Sequence, residues 1–91
     1  MPTLVVTGEN LLVPDVIGEY PESGTYGDYN YYYSGTYYIY RLTVPGDIKW
    51  VISPTLGSLS YTYDDGGADT LTGTYFDNLG DENPATVAWK V

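Results

Sequence analysis

The chain has 91 residues, with 12 acidic and three basic side chains, a net charge of −9, and neither cysteine nor histidine. This length supports one domain, residues 1–91, with a modest core. A chain this acidic repels nucleic acid phosphates and anionic lipids, and it has no apolar run long enough to span a bilayer, so we expect neither nucleic acid nor a membrane as partner. Without histidine or cysteine the usual pairs of nucleophile and base are missing, and we expect no enzyme.

The first third of the chain alternates short apolar segments with glycines. Residues 4–7 predict a strand that ends at Gly8. Residues 11–17 are also apolar, but Pro14 makes them an edge strand or a loop. Gly24 and Gly27 then mark residues 18–28 as a patch rich in turns.

Residues 29–40, YNYYYSGTYYIY, hold most of the twelve tyrosines and predict a hairpin. With Ser34-Gly35 as a two-residue turn, Tyr33 faces Thr36 and Tyr32 faces Tyr37. The alternation of side chains then gives two faces. The first holds Tyr29, Tyr31, Tyr33, Tyr38, Tyr40 and Leu42, and the second holds Asn30, Tyr32, Tyr37, Ile39 and Arg41.

Pro45-Gly46-Asp47 turns the chain into a strand over residues 49–53. A four-residue loop would place Val44 opposite Lys49, and Trp50 and Ile52 would then share a face with Ile39. We expect this face to be the core, with Trp50 as its central aromatic residue. A loop one residue longer or shorter would reverse the assignment.

The remaining segments predict strands over residues 58–63, 71–76 and 86–91, separated by acidic loops over 64–69 and 77–84. Trp89 is expected to hold the last strand against the sheet. No segment shows a helical period. The sequence therefore predicts an all-β fold, a small antiparallel β-sandwich or barrel of about seven strands.

The loop over residues 64–69 carries Asp64, Asp65 and Asp69 around a Gly-Gly pair. Carboxylates on a flexible loop suit calcium, so these three residues are candidate ligands. Their spacing lacks the alternation of an EF-hand loop, and a plain hairpin loop is the favoured interpretation. No other cofactor is predicted.

The tyrosine-rich face allows three interpretations. Some of its rings must fill the core, because a small domain has few other large apolar side chains. The others could contact a protein, since tyrosine orders at little entropic cost, or could stack on a sugar with help from Asp28 and Asn30. Protein contact ranks first because the aromatic strip is long. The candidate contact residues are Tyr29, Tyr31, Tyr33, Tyr38 and Tyr40, and replacing Tyr38 and Tyr40 with serine is expected to abolish assembly without unfolding the chain.

The order of these pieces resembles a small β module found in phage virion and tail-associated proteins and in other surface proteins. The matching pieces are Val6-Thr7-Gly8, Gly18-Glu19-Tyr20, residues 24–33, Tyr38-Ile39-Tyr40 and Trp50-Val51-Ile52-Ser53. Where such modules often carry Asn-Gly before the hairpin, this chain has Gly27-Asp28.

The resemblance implies a structural component of a virion, such as a capsid decoration (cement) protein or a tail accessory, with a capsid or tail protein as its partner. It implies no catalytic residues. An extracellular or cell-surface location is the alternative to the virion. Two other functions remain open: a carbohydrate-binding module using the same aromatic residues, and an inhibitor whose negative surface mimics nucleic acid.

Overall fold

The computed structural model describes residues 2–8, 16–57, 61–67, 69–77 and 85–91. Each strand pairs antiparallel with the next, and the last pairs with the first to close a barrel. The strands are β1 Thr3–Gly8, β2 Gly18–Tyr26, β3 Tyr29–Tyr33, β4 Tyr38–Val44, β5 Asp47–Ser53, β6 Tyr63–Asp64, β7 Gly73–Asp77 and β8 Ala85–Trp89. The prediction of a small antiparallel all-β fold is confirmed, with eight strands where about seven were expected.

Parts of four predicted segments lie outside the described residues: 11–15 of the second apolar segment, 58–60 of the predicted strand 58–63, residue 68 of the first acidic loop, and 78–84 of the second acidic loop. The other predicted strands are present, with ends that differ by a few residues. Asp64 belongs to β6 and not to the loop that follows it.

The sequence interpretation missed β2, which runs through the stretch predicted as turns. Its glycine has a packing role, because Gly24 lies opposite Tyr31 at a β-bulge that follows Glu22. A Cβ atom on Gly24 would lie 2.9 Å from Cε1 of Tyr31, and the φ of +156° also favours glycine. The Tyr31 ring therefore packs directly on the backbone of Gly24, and a side chain at position 24 would displace it.

Both predicted hairpin registers are wrong by two residues. Tyr33 pairs with Tyr38, and not with Thr36, across a four-residue loop in which the Ser34 Oγ accepts hydrogen bonds from the N–H groups of Thr36 and Tyr37. Val44 pairs with Asp47, and not with Lys49, around the two-residue turn Pro45-Gly46. A shift of two preserves the alternation of side chains, so the faces were assigned correctly except at Tyr29, whose ring lies against Trp50 and Arg41 of the other face.

The barrel interior is filled by side chains, as expected for eight strands. Trp50 is buried there with Ile39 and Ile52, which confirms the predicted core face. Two buried phenols bond to backbone carbonyls: Tyr20 donates to Val16 at 2.7 Å and Tyr75 to Leu71 at 2.8 Å. The interior residues are Leu4, Val6, Val16, Tyr20, Tyr32, Ile39, Trp50, Ile52, Tyr63, Tyr75, Ala85 and Val87.

A second apolar layer lies on the outside of β4 and β5. Tyr40, Leu42 and Val51 are buried there although they point away from the barrel interior. The connection between β5 and β6 contributes Leu56 and Tyr61 to this layer, so the chain covers part of its own outer surface. We call these five residues, together with Tyr26, Tyr31 and Tyr38, the outer cluster.

Neither a cavity nor a helix long and apolar enough to cross a bilayer is found within the described ranges.

Candidate functional site

Three tyrosines on the outside of β3 and β4 form the candidate site. Tyr33 and Tyr38 are paired across the two strands, and their rings stack with centroids 4.2 Å apart and planes 15° from parallel. The Tyr31 ring tilts against Tyr38 at a centroid distance of 5.9 Å. All three side chains are half-buried. We call Tyr31, Tyr33 and Tyr38 the tyrosine surface.

The tyrosine surface is fixed in place before any partner arrives. Tyr33 donates its hydroxyl to the Gly35 carbonyl at 3.0 Å, which orients the ring. Burial raises the pKa of Tyr38, and the neighbouring Tyr33 and Tyr31 raise it further. A side-chain hydrogen bond with Tyr33 also raises this pKa, so the two stacked tyrosines are linked through their hydroxyls as well as through their rings.

The other two candidate contact residues lie elsewhere. Tyr40 is fully buried in the outer cluster, where its ring meets Tyr26 edge to face at 5.4 Å. Its prediction as a contact residue is wrong, because the side chains of the outer cluster, with the Tyr26 ring among them, bury it. Tyr29 is 42% exposed, but its ring contacts the edge of Trp50 and the guanidinium of Arg41, and not the other tyrosines.

Arg41 anchors the loop after β6 to the barrel. Its Nε and Nη2 donate to the two carboxylate oxygens of Asp69 at 2.7 and 2.9 Å, and its guanidinium lies 4.3 Å from the centroid of the Tyr29 ring. Asp69 has a φ of +55°, a left-handed conformation that aspartate and asparagine tolerate better than other non-glycine residues. The ion pair thus stabilises the left-handed backbone conformation of Asp69 as well as neutralising its charge.

The Arg41–Asp69 pair should make stability depend on pH. Hydrogen bonds from Arg41, and then its charge, hold the pKa of Asp69 below its ordinary value. A carboxyl with a lowered folded-state pKa stabilises the fold above its unfolded-state pKa, and this contribution is lost as the pH falls through the folded-state value. We expect Asp69→Asn to be less stable than the wild type at pH 7, and the difference to begin to shrink below about pH 4, the pKa of an unfolded aspartate, and to vanish only below the lowered folded-state pKa.

Urea unfolding of both proteins over this pH range measures the effect. Asparagine tolerates the same φ, so the comparison isolates the charge. A difference that stays constant with pH would show that the pair contributes nothing through ionisation.

The three candidate calcium ligands do not converge. Asp64 accepts a hydrogen bond from the Gly66 N–H at 2.6 Å, and Asp69 pairs with Arg41. Asp65 is buried and accepts from the N–H groups of Gly67 and Thr70 at 2.9 and 3.1 Å. No cluster of three or more possible metal ligands occurs in the described part of the chain.

Trp89 and Tyr32 meet edge to face at a centroid distance of 5.9 Å at one end of the barrel. Trp89 joins β8 to β3 in this way, as predicted for a residue that holds the last strand in place. Glu22 pairs with Tyr32 across β2 and β3 and accepts a short hydrogen bond from the Asn30 side chain. The sequence analysis did not predict that Glu22 and Tyr32 share a face, because it did not recognise β2 as a strand.

Comparison of the chain with protein-family models, with curated proteins and with solved structures finds no match.

Proposed function

We propose that this protein is a non-enzymatic structural or assembly component of a phage particle, a capsid decoration protein or a tail accessory. It docks on a capsid or tail protein through the tyrosine surface. The phage setting comes from the sequence resemblance, and the docking surface comes from the stacked pair of Tyr33 and Tyr38, the observation that carries the proposal.

The tyrosine surface has the properties of a protein contact. Its rings are half-buried and packed against one another, so little conformational entropy is lost when a partner covers them. The described residues around it form no cavity that would enclose a small substrate. The phenol groups leave hydrogen-bonding capacity at the edge of an apolar patch, as interface tyrosines commonly do.

The same geometry disfavours the carbohydrate alternative. A sugar stacks on the open face of an aromatic ring, but Tyr33 and Tyr38 cover one face of each other. Of the two polar residues assigned to sugar hydroxyls, Asn30 already donates to Glu22. A protein partner can use the exposed ring edges and the hydroxyls, which face-to-face stacking leaves open.

The test compares Tyr33→Ala with Tyr29→Ala. Both variants remove one tyrosine ring from β3, but only Tyr33 belongs to the tyrosine surface. We expect Tyr33→Ala to reduce the number of copies that co-sediment with the native particle by at least about tenfold, the effect of losing a central interface aromatic residue. Tyr29→Ala and Tyr33→Phe should co-sediment like the wild type.

Far-ultraviolet circular dichroism on each variant confirms that it is folded. Equal loss from Tyr33→Ala and Tyr29→Ala would move the contact away from the tyrosine surface. A wild-type chain that sediments only as a free monomer would overturn the proposal of an assembly role, and specific binding on a glycan array would then favour the carbohydrate-binding module.

A further inference from the structure

We propose that the barrel end formed by Trp89, Tyr32 and Glu22 binds a cationic side chain, a lysine or arginine presented by a partner protein. This site is separate from the tyrosine surface, and its test does not depend on the role proposed there.

The three residues face the same barrel end. Trp89 and Tyr20 both pair with Leu4, so they share its inward face, and Glu22 follows Tyr20 by two residues on β2. Glu22 in turn pairs with Tyr32, which is buried, whereas Trp89 is 48% exposed. The Trp89 indole is thus accessible from solvent. The Glu22 carboxylate lies on β2, whose neighbour β3 carries the Tyr32 ring that Trp89 contacts.

The carboxylate lies close to the Tyr32 phenol. Burial raises the pKa of Tyr32, the Glu22 charge raises it further, and a hydrogen bond with Asn30 opposes both. Asn30 donates to Glu22 and fixes the carboxylate orientation. The ring of Tyr32, which pairs with Glu22 across β2 and β3, meets the Trp89 ring with the planes 72° apart, and we call Glu22, Tyr32 and Trp89 the corner at Glu22.

The chain binds two of its own cations in corners of this kind. Arg41 lies over the Tyr29 ring and pairs with Asp69. Lys49 lies 4.8 Å from the centroid of the Tyr61 ring and 4.0 Å from Asp64. In both cases an aromatic ring and a carboxylate together hold one cation, a combination in which the cation–π and charge interactions reinforce each other.

The corner at Glu22 has no lysine or arginine of its own chain to fill it. The sequence has only three such residues, and the third, Lys90, pairs with Glu19 at 3.0 Å. A second copy of the chain would be equally short of cations and would bring a charge of −9 against −9. The complementary occupant is therefore a basic side chain of a different protein.

The test uses Nα-acetyl-arginine amide as the probe and the indole N–H signals of the two tryptophans as the readout. Trp89 reports on the site, and Trp50, which is 6% exposed in the core, is the internal control. In a titration at constant ionic strength we expect the Trp89 signal to shift with a dissociation constant on the order of millimolar, while the Trp50 signal stays in place. The neutral analogue Nα-acetyl-citrulline amide should produce no shift.

Two variants separate the site from general attraction to an acidic protein. Glu22→Gln keeps an oxygen that can accept the hydrogen bond from Asn30, and it should weaken the arginine probe about tenfold. Asp28→Asn, in the exposed turn between β2 and β3, removes the same charge and should leave the affinity unchanged.

Equal shifts of both tryptophan signals, equal binding of the citrulline probe, or equal weakening by the two variants would overturn the proposal. Tighter binding of tetramethylammonium than of the arginine probe would also overturn it, because the site would then be for a small quaternary ammonium ion and not for a protein side chain. The citrulline comparison uses the wild type alone, so it decides the question even if Glu22→Gln fails to fold.

Discussion

Replacing Tyr40 with alanine is expected to destabilise the protein by about 3–5 kcal/mol, the range for deleting a large buried aromatic side chain. Tyr40 has no exposed surface, and its ring packs in the outer cluster against Tyr26. Truncation would leave a cavity between the sheet and the β5–β6 connection, which cannot close without moving the strands. Urea denaturation with circular dichroism as the readout measures the change in the free energy of unfolding.

Tyr33→Ala is the matched control for this experiment. It removes the same side chain from the same side of the sheet, but from a half-buried position, and it should cost about 1 kcal/mol. Equal destabilisation by the two substitutions would contradict the structural difference, in which Tyr40 is buried in the outer cluster and Tyr33 is accessible. Replacing Tyr40 with serine to test assembly would therefore damage the fold, contrary to the expectation from the sequence.

The alternation of side chains in the two hairpins was predictable from the sequence, although the predicted length of both hairpin loops was wrong. Tyr32 pairs with Ile39 and not with Tyr37, yet all three point to the same side in either register. The period of two thus predicted the interior residues Ile39, Trp50 and Ile52 although it could not fix the pairing. The glycines of β2 concealed a strand, because a glycine at a bulge and a glycine in a turn look alike in a sequence.

The sequence could not show which tyrosines of the outer face are covered. Tyr40 and Tyr33 lie on the same side of the sheet, but Tyr40 is buried in the outer cluster, to which distant segments such as Tyr26 and Leu56 contribute, whereas Tyr33 does not belong to that cluster. A contact between residues distant in the chain also determines the position of the Tyr29 ring, which lies against the guanidinium of Arg41. Local pattern predicts the side to which a residue points, whereas long-range packing decides what it meets there.

Asp65→Ala is expected to destabilise the protein by about 2–3 kcal/mol, because it leaves two backbone N–H groups without their acceptor. The Asp65 carboxylate is 4% exposed and receives the N–H groups of Gly67 and Thr70, while its own N–H donates to the Trp50 carbonyl at 3.0 Å. This one side chain closes the loop that Arg41 anchors through Asp69. Asp64→Ala removes an acceptor for one N–H group from a half-buried position, and it should cost about 1 kcal/mol or less.

Thermal unfolding with added calcium or with a chelator extends this experiment to the calcium hypothesis. A metal that binds the folded state raises its stability in proportion to the logarithm of the metal concentration above the dissociation constant. If Asp65 serves to cap the loop, calcium should leave the unfolding temperature of the wild type unchanged, and Asp65→Ala should lower that temperature by the same amount with and without the metal. A rise with calcium in the wild type that Asp65→Ala abolishes would instead make the loop a metal site.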